Sequence, residues 1–394
     1  MKIQQTIQIL IEHDHDLVQT LEVFQGVKQA LSESCFNQGT PLGQIGLHKT
    51  MYRTVVGRLN AQMTCSAIRL VSAAYISAKK NKKPAQKPFG FHKKHALFLV
   101  GQRGRDASFK ADKLSIWTVA GRKKLSFTVP EYFRPTLEQA QEIDSINVVE
   151  KDGRLIGFVC VTLEVPEPAG VLPVGVDLNE TNILVAIDPD NRKLFISGKQ
   201  MKIANTKTRK TYKRLQIKLA SRKAEGLDTR SVRRSLKRLG SKHTNRTKTF
   251  CQTIAKELVQ WCPPNAVIVL EDLRIPQVSK KKKVSKGVKR RLSQWAHGLL
   301  TTWIDANAKK NGILVEKVNP AHTSTHCSYC GLAGNRNRHA FNCPSCGFTG
   351  HADVNAAVNI RNRYTVLRDG GVQSITLEAL EQSEGKLLPL GESI

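Results

Sequence analysis

Residues 172–187, LPVGVDLNETNILVAI, hold an apolar run broken by one acid, Asp177, then a short polar turn, then a second apolar run. This pattern predicts a buried strand, a turn and a second buried strand. A carboxylate inside an apolar strand is costly unless it is paired or bound to a cation. Two other acids repeat the anomaly. Glu271 closes the run Val267–Leu270 within AVIVLEDL (266–273), and Asp353 opens the helix-forming stretch HADVNAAVNIRNRY (351–364). If two strands and a helix converge, Asp177, Glu271 and Asp353 could hold two divalent ions for phosphodiester hydrolysis, with Mg²⁺ or Mn²⁺ suited to hard oxygen ligands. Structural readings compete with this one. Asp177 could end its strand, Glu271 could pair with Arg or Lys, Asp353 could cap its helix, and Asp272 competes with Glu271. Spacing alone does not bring together acids separated by 94 and 82 positions.

Between the second and third acids lies a cysteine cluster. Cys327-Ser-Tyr-Cys330 and Cys343-Pro-Ser-Cys346 are two C-x-x-C knuckles separated by twelve residues, each followed by glycine, Gly331 and Gly347. Glycine lets the chain turn tightly and aim backbone amides at the thiolates. Four thiolates suit tetrahedral zinc, and such a closed shell is structural because it leaves no position for water. His322, His326, His339 and His351 lie nearby and are expected to be bystanders. The other five cysteines (Cys35, Cys65, Cys160, Cys251, Cys262) sit in apolar surroundings and read as buried thiols, so the chain reads as reduced and intracellular.

Outward from this core the texture is basic. Residues 199–250 carry 18 Lys/Arg and two acids, interleaved with Tyr212, Leu215, Ile217, Leu219, Val232, Leu236 and Leu239. That predicts ordered helices with a basic, phosphate-binding face. SKKKKVSKGVKRR (279–291) is a second basic run, read as a strand-contacting loop. QWAHGLLTTWIDANAKKNG predicts a helix stopped at Gly312, and ILVEKV (313–318) another strand.

Towards the N-terminus, residues 3–12 predict a strand. Leu17, Leu21, Phe24, Val27 and Leu31 mark one helical stripe, and Leu47 to Ala74 a longer one, separated at Gly39-Thr40-Pro41 and read as a helical hairpin. A basic linker, AKKNKKPAQKP (78–88), leads to short β-branched runs over 89–165, with hairpin turns at AGRK (120–123) and KDGR (151–154). A small barrel or sandwich is expected, with the helices inserted after its first strand. The segment beyond Asp369-Gly370-Gly371 is expected to be disordered.

The 394 residues carry 62 Lys+Arg against 32 Asp+Glu, a formal charge of +30. A polyanion is needed to offset that self-repulsion, and nucleic acid is the first candidate. Forty per cent hydrophobic residues are enough for real cores and argue against global disorder. The longest apolar runs are far short of the ~20 residues of a membrane span, and the N-terminus lacks a signal-peptide pattern. Membrane partnership is not expected.

GVDLNETN, VIVLEDL, NPAHTSTHCSYCG…CPSCG and HADVNAAVNI, in this order and spacing, resemble the transposon-encoded TnpB nucleases, relatives of the compact type V CRISPR effectors. The resemblance is densest over 172–364. It implies an α/β multidomain protein, with an RNase H-like (RuvC) nuclease domain over 171–325 and 349–368 and an inserted zinc ribbon over 326–348. It further implies a wedge-like β-barrel over 1–13 and 81–170, a helical recognition domain over 14–80, and a tail over 369–394. By motif matching, Asp177, Glu271 and Asp353 take the catalytic, magnesium-holding positions, and Cys327, Cys330, Cys343 and Cys346 the zinc positions. The implied activity is RNA-guided cleavage of target DNA beside a short flanking motif. Its partners would be a guide RNA and target DNA and its place the nucleoid-associated cytoplasm; the sequence leaves the oligomeric state open, with a monomer favoured. A CRISPR effector, a guided DNA-binding repressor, a transposase and a plain zinc-ribbon binder are the competing readings. Two positions depart from the family: Asn179 stands where Gly is common and His326 where Gln is common. Neither is expected to touch a carboxylate or a thiolate.

Overall fold

In the structure, a computed structural model, residues 1–38, 43–82, 85–91, 94–100, 106–110, 112–273 and 296–369 are described. The Gly39-Thr40-Pro41 break, the basic run 279–291 and the tail from 370 onward lie outside the described residues. The chain divides into two compact units at Val165/Pro166.

The first unit is built on β1 (Lys2–Ile11), which pairs antiparallel with β7 (Arg154–Glu164) from Lys2↔Glu164 to Ile11↔Leu155. Alternation does the work here: Ile7, Ile9 and Ile11 point inward and are buried. The other strands are β2 (His95–Leu99), β3 (Ala107–Lys110), β4 (Lys113–Thr118), β5 (Gly121–Thr128) and β6 (Ala140–Lys151). Together they form one antiparallel sheet in the order β2-β6-β7-β1-β5-β4-β3. The amide of Leu99, at the end of β2, donates to the Asp106 carboxylate just before β3, 3.1 Å away. The two edges of the sheet therefore approach each other, close to a barrel.

The helices between β1 and β2 differ from the expected hairpin. Helix α1 (His15–Asn37) forms as expected, N-capped by Asp14, which accepts from Leu17 N. The second stripe is split into α2 (Gln44–Val55) and α3 (Ala61–Lys80). Val56 is extended, and Asn60 caps the new helix by accepting from Met63 N at 2.7 Å. Leu59 falls in this break yet is buried with Leu47, Val55, Met63 and Ala67, so the apolar period survives the change in backbone.

In the second unit, β8 (Leu172–Asp177), β9 (Asn182–Ile187) and β10 (Lys193–Ser197) form an antiparallel meander. On the other side of β8, β11 (Ala266–Glu271) and β12 (Leu314–Val318) run parallel to it, giving the order β10-β9-β8-β11-β12. Between β10 and β11 run two long helices, α5 (Lys199–Ala224) and α6 (Arg230–Trp261). Helix α6 buries Cys251, Ile254, Ala255 and Leu258 in its C-terminal half. Helix α5 buries nothing. Tyr212 and Ile217, expected to interleave with the basic face, are exposed there. Next come α7 (His297–Lys310), a small antiparallel sheet of β13 (Asn335–Asn337), β14 (Ala340–Asn342) and β15 (Thr349–His351), and finally α8 (Ala352–Asp369).

Helix α8 packs hard against β8. A Cβ on Gly175 would lie 2.0 Å from the Ala357 carbonyl oxygen, so only glycine permits this approach. Ala352, Ala356, Ala357 and Ile360 form the buried small-residue face.

Candidate nuclease and zinc sites

The chain leaves β8 towards β9 on one side and reaches β11 on the other. In such an open sheet, the crevice outside the carboxyl ends of the strands is the natural binding place. Asp177 ends β8 and Glu271 ends the neighbouring β11. Asp353 lies in the first turn of α8, which crosses β8 at Gly175. The three acids expected from the sequence are thereby brought together. Asp177 is pushed up to about 7, by burial first and then by the negative charges of Glu271 and Asp353; Asn179 and Arg336 work in the opposite direction. Glu271 is also raised, by burial above all. Asp177 thus feels the charge of both other acids, and three carboxylates on neighbouring elements offer the oxygen donors that hard divalent cations favour.

Each carboxylate has a neutral or cationic partner. Asn179 Nδ2 donates to Asp177 Oδ2 at 3.2 Å, so the expectation that Asn179 touches no carboxylate is wrong. Its Oδ1 accepts from the amides of Thr181 (2.9 Å) and Asn182 (3.0 Å), an Asx turn that holds the β8–β9 connection and aims the amide nitrogen at Asp177. Thr323 donates to Glu271. Asn182 Nδ2 donates to Asp353 Oδ2 at 2.8 Å, and Arg336 Nη2 to Asp353 Oδ1 at 2.7 Å. Asp353 is 1% exposed, so the Arg336 ion pair compensates a truly buried charge. Asp272, the rival of Glu271, lies one residue past the strand end, with its amide on the Val318 carbonyl.

Arg336, Asn182 and Thr323 were not singled out from the sequence. Arg336 was invisible among 62 basic residues. Asn182 and Thr323 sit inside the quoted motifs, where the side chains that hold an acid can be sought.

The four cysteines form one cluster. Cys327 Sγ lies 3.7 Å from Cys346 Sγ, and Cys330 Sγ 3.5 Å from Cys343 Sγ. Tetrahedral zinc with bonds of about 2.3 Å sets its sulfurs about 3.8 Å apart, so the donor set fits zinc. Gly331 and Gly347 take φ +78° and +74°, the turn expected after each knuckle. Burial would raise the Cys343 thiol, but the amides of Cys346 and Ser345 and the neighbouring thiols bring it down to about 6. Burial and the surrounding thiols push Cys330 up to about 12.

An i, i+4, i+8 ladder on α8 ties the two sites together. Asn355 Nδ2 donates to the His326 carbonyl (2.7 Å), and its Oδ1 accepts from Ser328 N (2.8 Å). Asn359 Nδ2 donates to the carbonyls of Thr323 (2.9 Å) and His326 (2.8 Å), and Arg363 to that of Ala321 (2.8 Å). The helix that carries Asp353 thus also grips the turn segment entering the first knuckle. His326 accepts from both asparagines through its backbone carbonyl, while its ring stacks on that of His322 with centroids 4.7 Å apart. His339 and His351 stand apart from the thiols but lie against Asp353.

Known proteins match parts of this chain. Residues 297–360 match the family model "Cas12f1-like, TNB domain", and residues 158–282 match OrfB_IS605, described as "Probable transposase". The fold is similar over 93% of both chains to a solved mini-RNA-guided endonuclease, CRISPR-Cas_phi3, with a TM-score of 0.52 at 12% identity. A TnpB-like protein of Methanocaldococcus jannaschii is 28% identical over 269 residues, 64% of this chain and 91% of that protein. The CRISPR-associated endodeoxyribonuclease Cas12f1 of Sulfoacidibacillus thermotolerans is 43% identical over 72 residues, 18% and 17% of the two chains. These matches bear out the resemblance to the TnpB family read from the motifs. No helix among the described residues is long and apolar enough to cross a membrane.

Proposed function

We propose that this chain is an RNA-guided DNA endonuclease of a transposable element, cleaving target DNA beside a short flanking motif. The observation that carries this reading is the convergence of Asp177, Glu271 and Asp353 at the carboxyl ends of two parallel strands. In this reading the second unit's five-stranded sheet is a RuvC-like nuclease domain over 171–325 and 349–368, with a zinc ribbon inserted over 326–348. The first unit then supplies the wedge, 1–13 and 81–170, and the helical recognition domain, 14–80.

Asp177, Glu271 and Asp353 would hold Mg²⁺ or Mn²⁺, which when bound would supply activation of a water and stabilisation of the leaving oxygen of a phosphodiester. Asn179, Thr323 and Asn182 orient the three carboxylates, and Arg336 supplies positive charge beside Asp353. Helix α5, with no buried face, offers its basic side chains to phosphates, which give affinity without sequence specificity. Sequence would be read by base pairing with a guide RNA, while the protein reads the short flanking motif and the shape of the duplex.

The test is cleavage of a matched plasmid by protein purified with the RNA it carries from its native flanking DNA. Asp177→Ala, Glu271→Ala and Asp353→Ala should each lower cutting by at least about 1,000-fold, because the three act as a unit. RNA content and target binding should be retained. Cutting by the triple variant would overturn the reading.

A further inference from the structure

His339 immediately precedes β14 and His351 closes β15. Ala340 pairs with His351 across these strands, and the Ala352 amide donates to the His339 carbonyl at 2.7 Å, so both backbones are fixed. The two rings stack with centroids 5.4 Å apart and planes 26° apart. His339 Nδ1 lies 3.6 Å and His351 Nδ1 4.0 Å from Asp353 Oδ2. The three donor atoms all fall within 4.8 Å of one another.

We propose that His339, His351 and Asp353 form a second transition-metal site, taking Zn²⁺ or a similar borderline cation, distinct from the four-thiol cluster. Two imidazoles and a carboxylate suit such ions, whereas Mg²⁺ favours an all-oxygen set. Metal–donor bonds of about 2.0–2.1 Å at tetrahedral angles place donors about 3.3–3.4 Å apart, so the two separations to Oδ2 need to close by about 0.2–0.7 Å and the one between the imidazole nitrogens, at most 4.8 Å, by up to about 1.5 Å. His339 is half exposed, which leaves an entry path and room for water as fourth ligand. Arg336 holds Oδ1 of Asp353 and leaves Oδ2 as the donor. Two existing contacts must yield: the Asp353 amide now donates to His351 Nδ1 at 3.2 Å, and Asn182 shares Oδ2. A cation here would draw Oδ2 of Asp353 away from the hard-cation set. That consequence rests on the nuclease reading, but the binding does not.

The experiment counts metal on the full-length protein. Equilibrium dialysis against Zn²⁺ should leave two ions per wild-type chain and one per His339→Ala/His351→Ala chain. With Co²⁺ in place of Zn²⁺, the wild type should show sulfur-to-cobalt charge transfer from the thiol site and added visible bands from a site without sulfur. The histidine variant should keep the first and lose the second, which also reports that its ribbon is folded. If that variant loses the sulfur bands, the single change His339→Asn supplies the count. One ion per chain in wild type, or two in a folded histidine variant, overturns the proposal. Cleavage undiminished with two zinc ions bound would instead count against the nuclease reading of Asp353 and leave the metal site standing.

Discussion

The thiol cluster and the carboxylate cluster are adjacent in the second unit but are built in opposite ways. The thiol cluster is local. Its four ligands come from twenty consecutive residues, two tight turns place the sulfurs, and amides of the same turns hold charge on Cys343. The carboxylate cluster is assembled from strands and a helix far apart in the chain. Its acids are held by Asn179 and Asn182 at the β8–β9 connection, by Thr323 and by Arg336, which come from three separate segments. A local site needs its own ligands. A distributed site needs the whole unit to be folded around it, and it stores electrostatic cost in return, as the raised Asp177 and Glu271 show.

The largest expected effect breaks the local site. Cys343→Ser removes one of four sulfurs, and structural zinc contributes its binding energy directly to folding. The sulfur-to-cobalt charge-transfer band should fall to background, with β13–β15 losing amide protection in hydrogen exchange. A band of wild-type intensity would show that the thiols are not a single site. Next is the distributed site. Gly175→Ala drives a methyl into the Ala357 carbonyl, at a cost of about 3 kcal/mol in urea unfolding. It should abolish cleavage by displacing Asp353 while leaving the cobalt–sulfur band intact. Loss of both signals together would erase the contrast between the sites.

The tie between the clusters comes third. Asn359→Ala strips donors from two carbonyls, those of Thr323 and His326. The expected loss is about 1–3 kcal/mol, read by urea melts with and without zinc, and no change in either melt would show that the ladder carries no stability. The smallest effect has the opposite sign. Asp177 has a folded-state pKa of about 7 against an ordinary 3.8, so the folded chain binds the extra proton between those values. Its contribution to stability is therefore lost as pH rises from about 4 through about 7. In a chelator that spares the thiol zinc, Asp177→Asn should melt a few degrees above wild type at pH 8 and show a flatter pH dependence, although it cannot cut. A variant that melts below wild type at pH 8 would mean the acid is well compensated.

Much of the fold was legible because its signals are local. Short apolar or β-branched runs mark β1, β7, β8 and β9, and the three- and four-residue stripe marks α1. The same stripe was misleading at Val56–Asn60, because Leu59 keeps the apolar phase while Asn60 starts a new helix. Strand β10 offers only the short apolar run Leu194–Ile196 and is not expected from the sequence. Helix α5 shows the limit on the basic side: its apolar residues suggested a packed face, yet nothing on it is buried.

The sequence by itself determined the two C-x-x-C knuckles and their turns, the acids lodged in apolar strands, the strand–turn–strand at 172–187 and the basic helices. These depend on neighbours within a turn or two, where spacing decides contact. The tertiary structure alone decided that Asp177, Glu271 and Asp353 meet, that Asn179 and Arg336 hold two of them, and that His339 and His351 face Asp353. Those contacts depend on the order β10-β9-β8-β11-β12 and on the close approach of α8 at Gly175. Periodicity states which face a residue shows, but not which distant residue it will face.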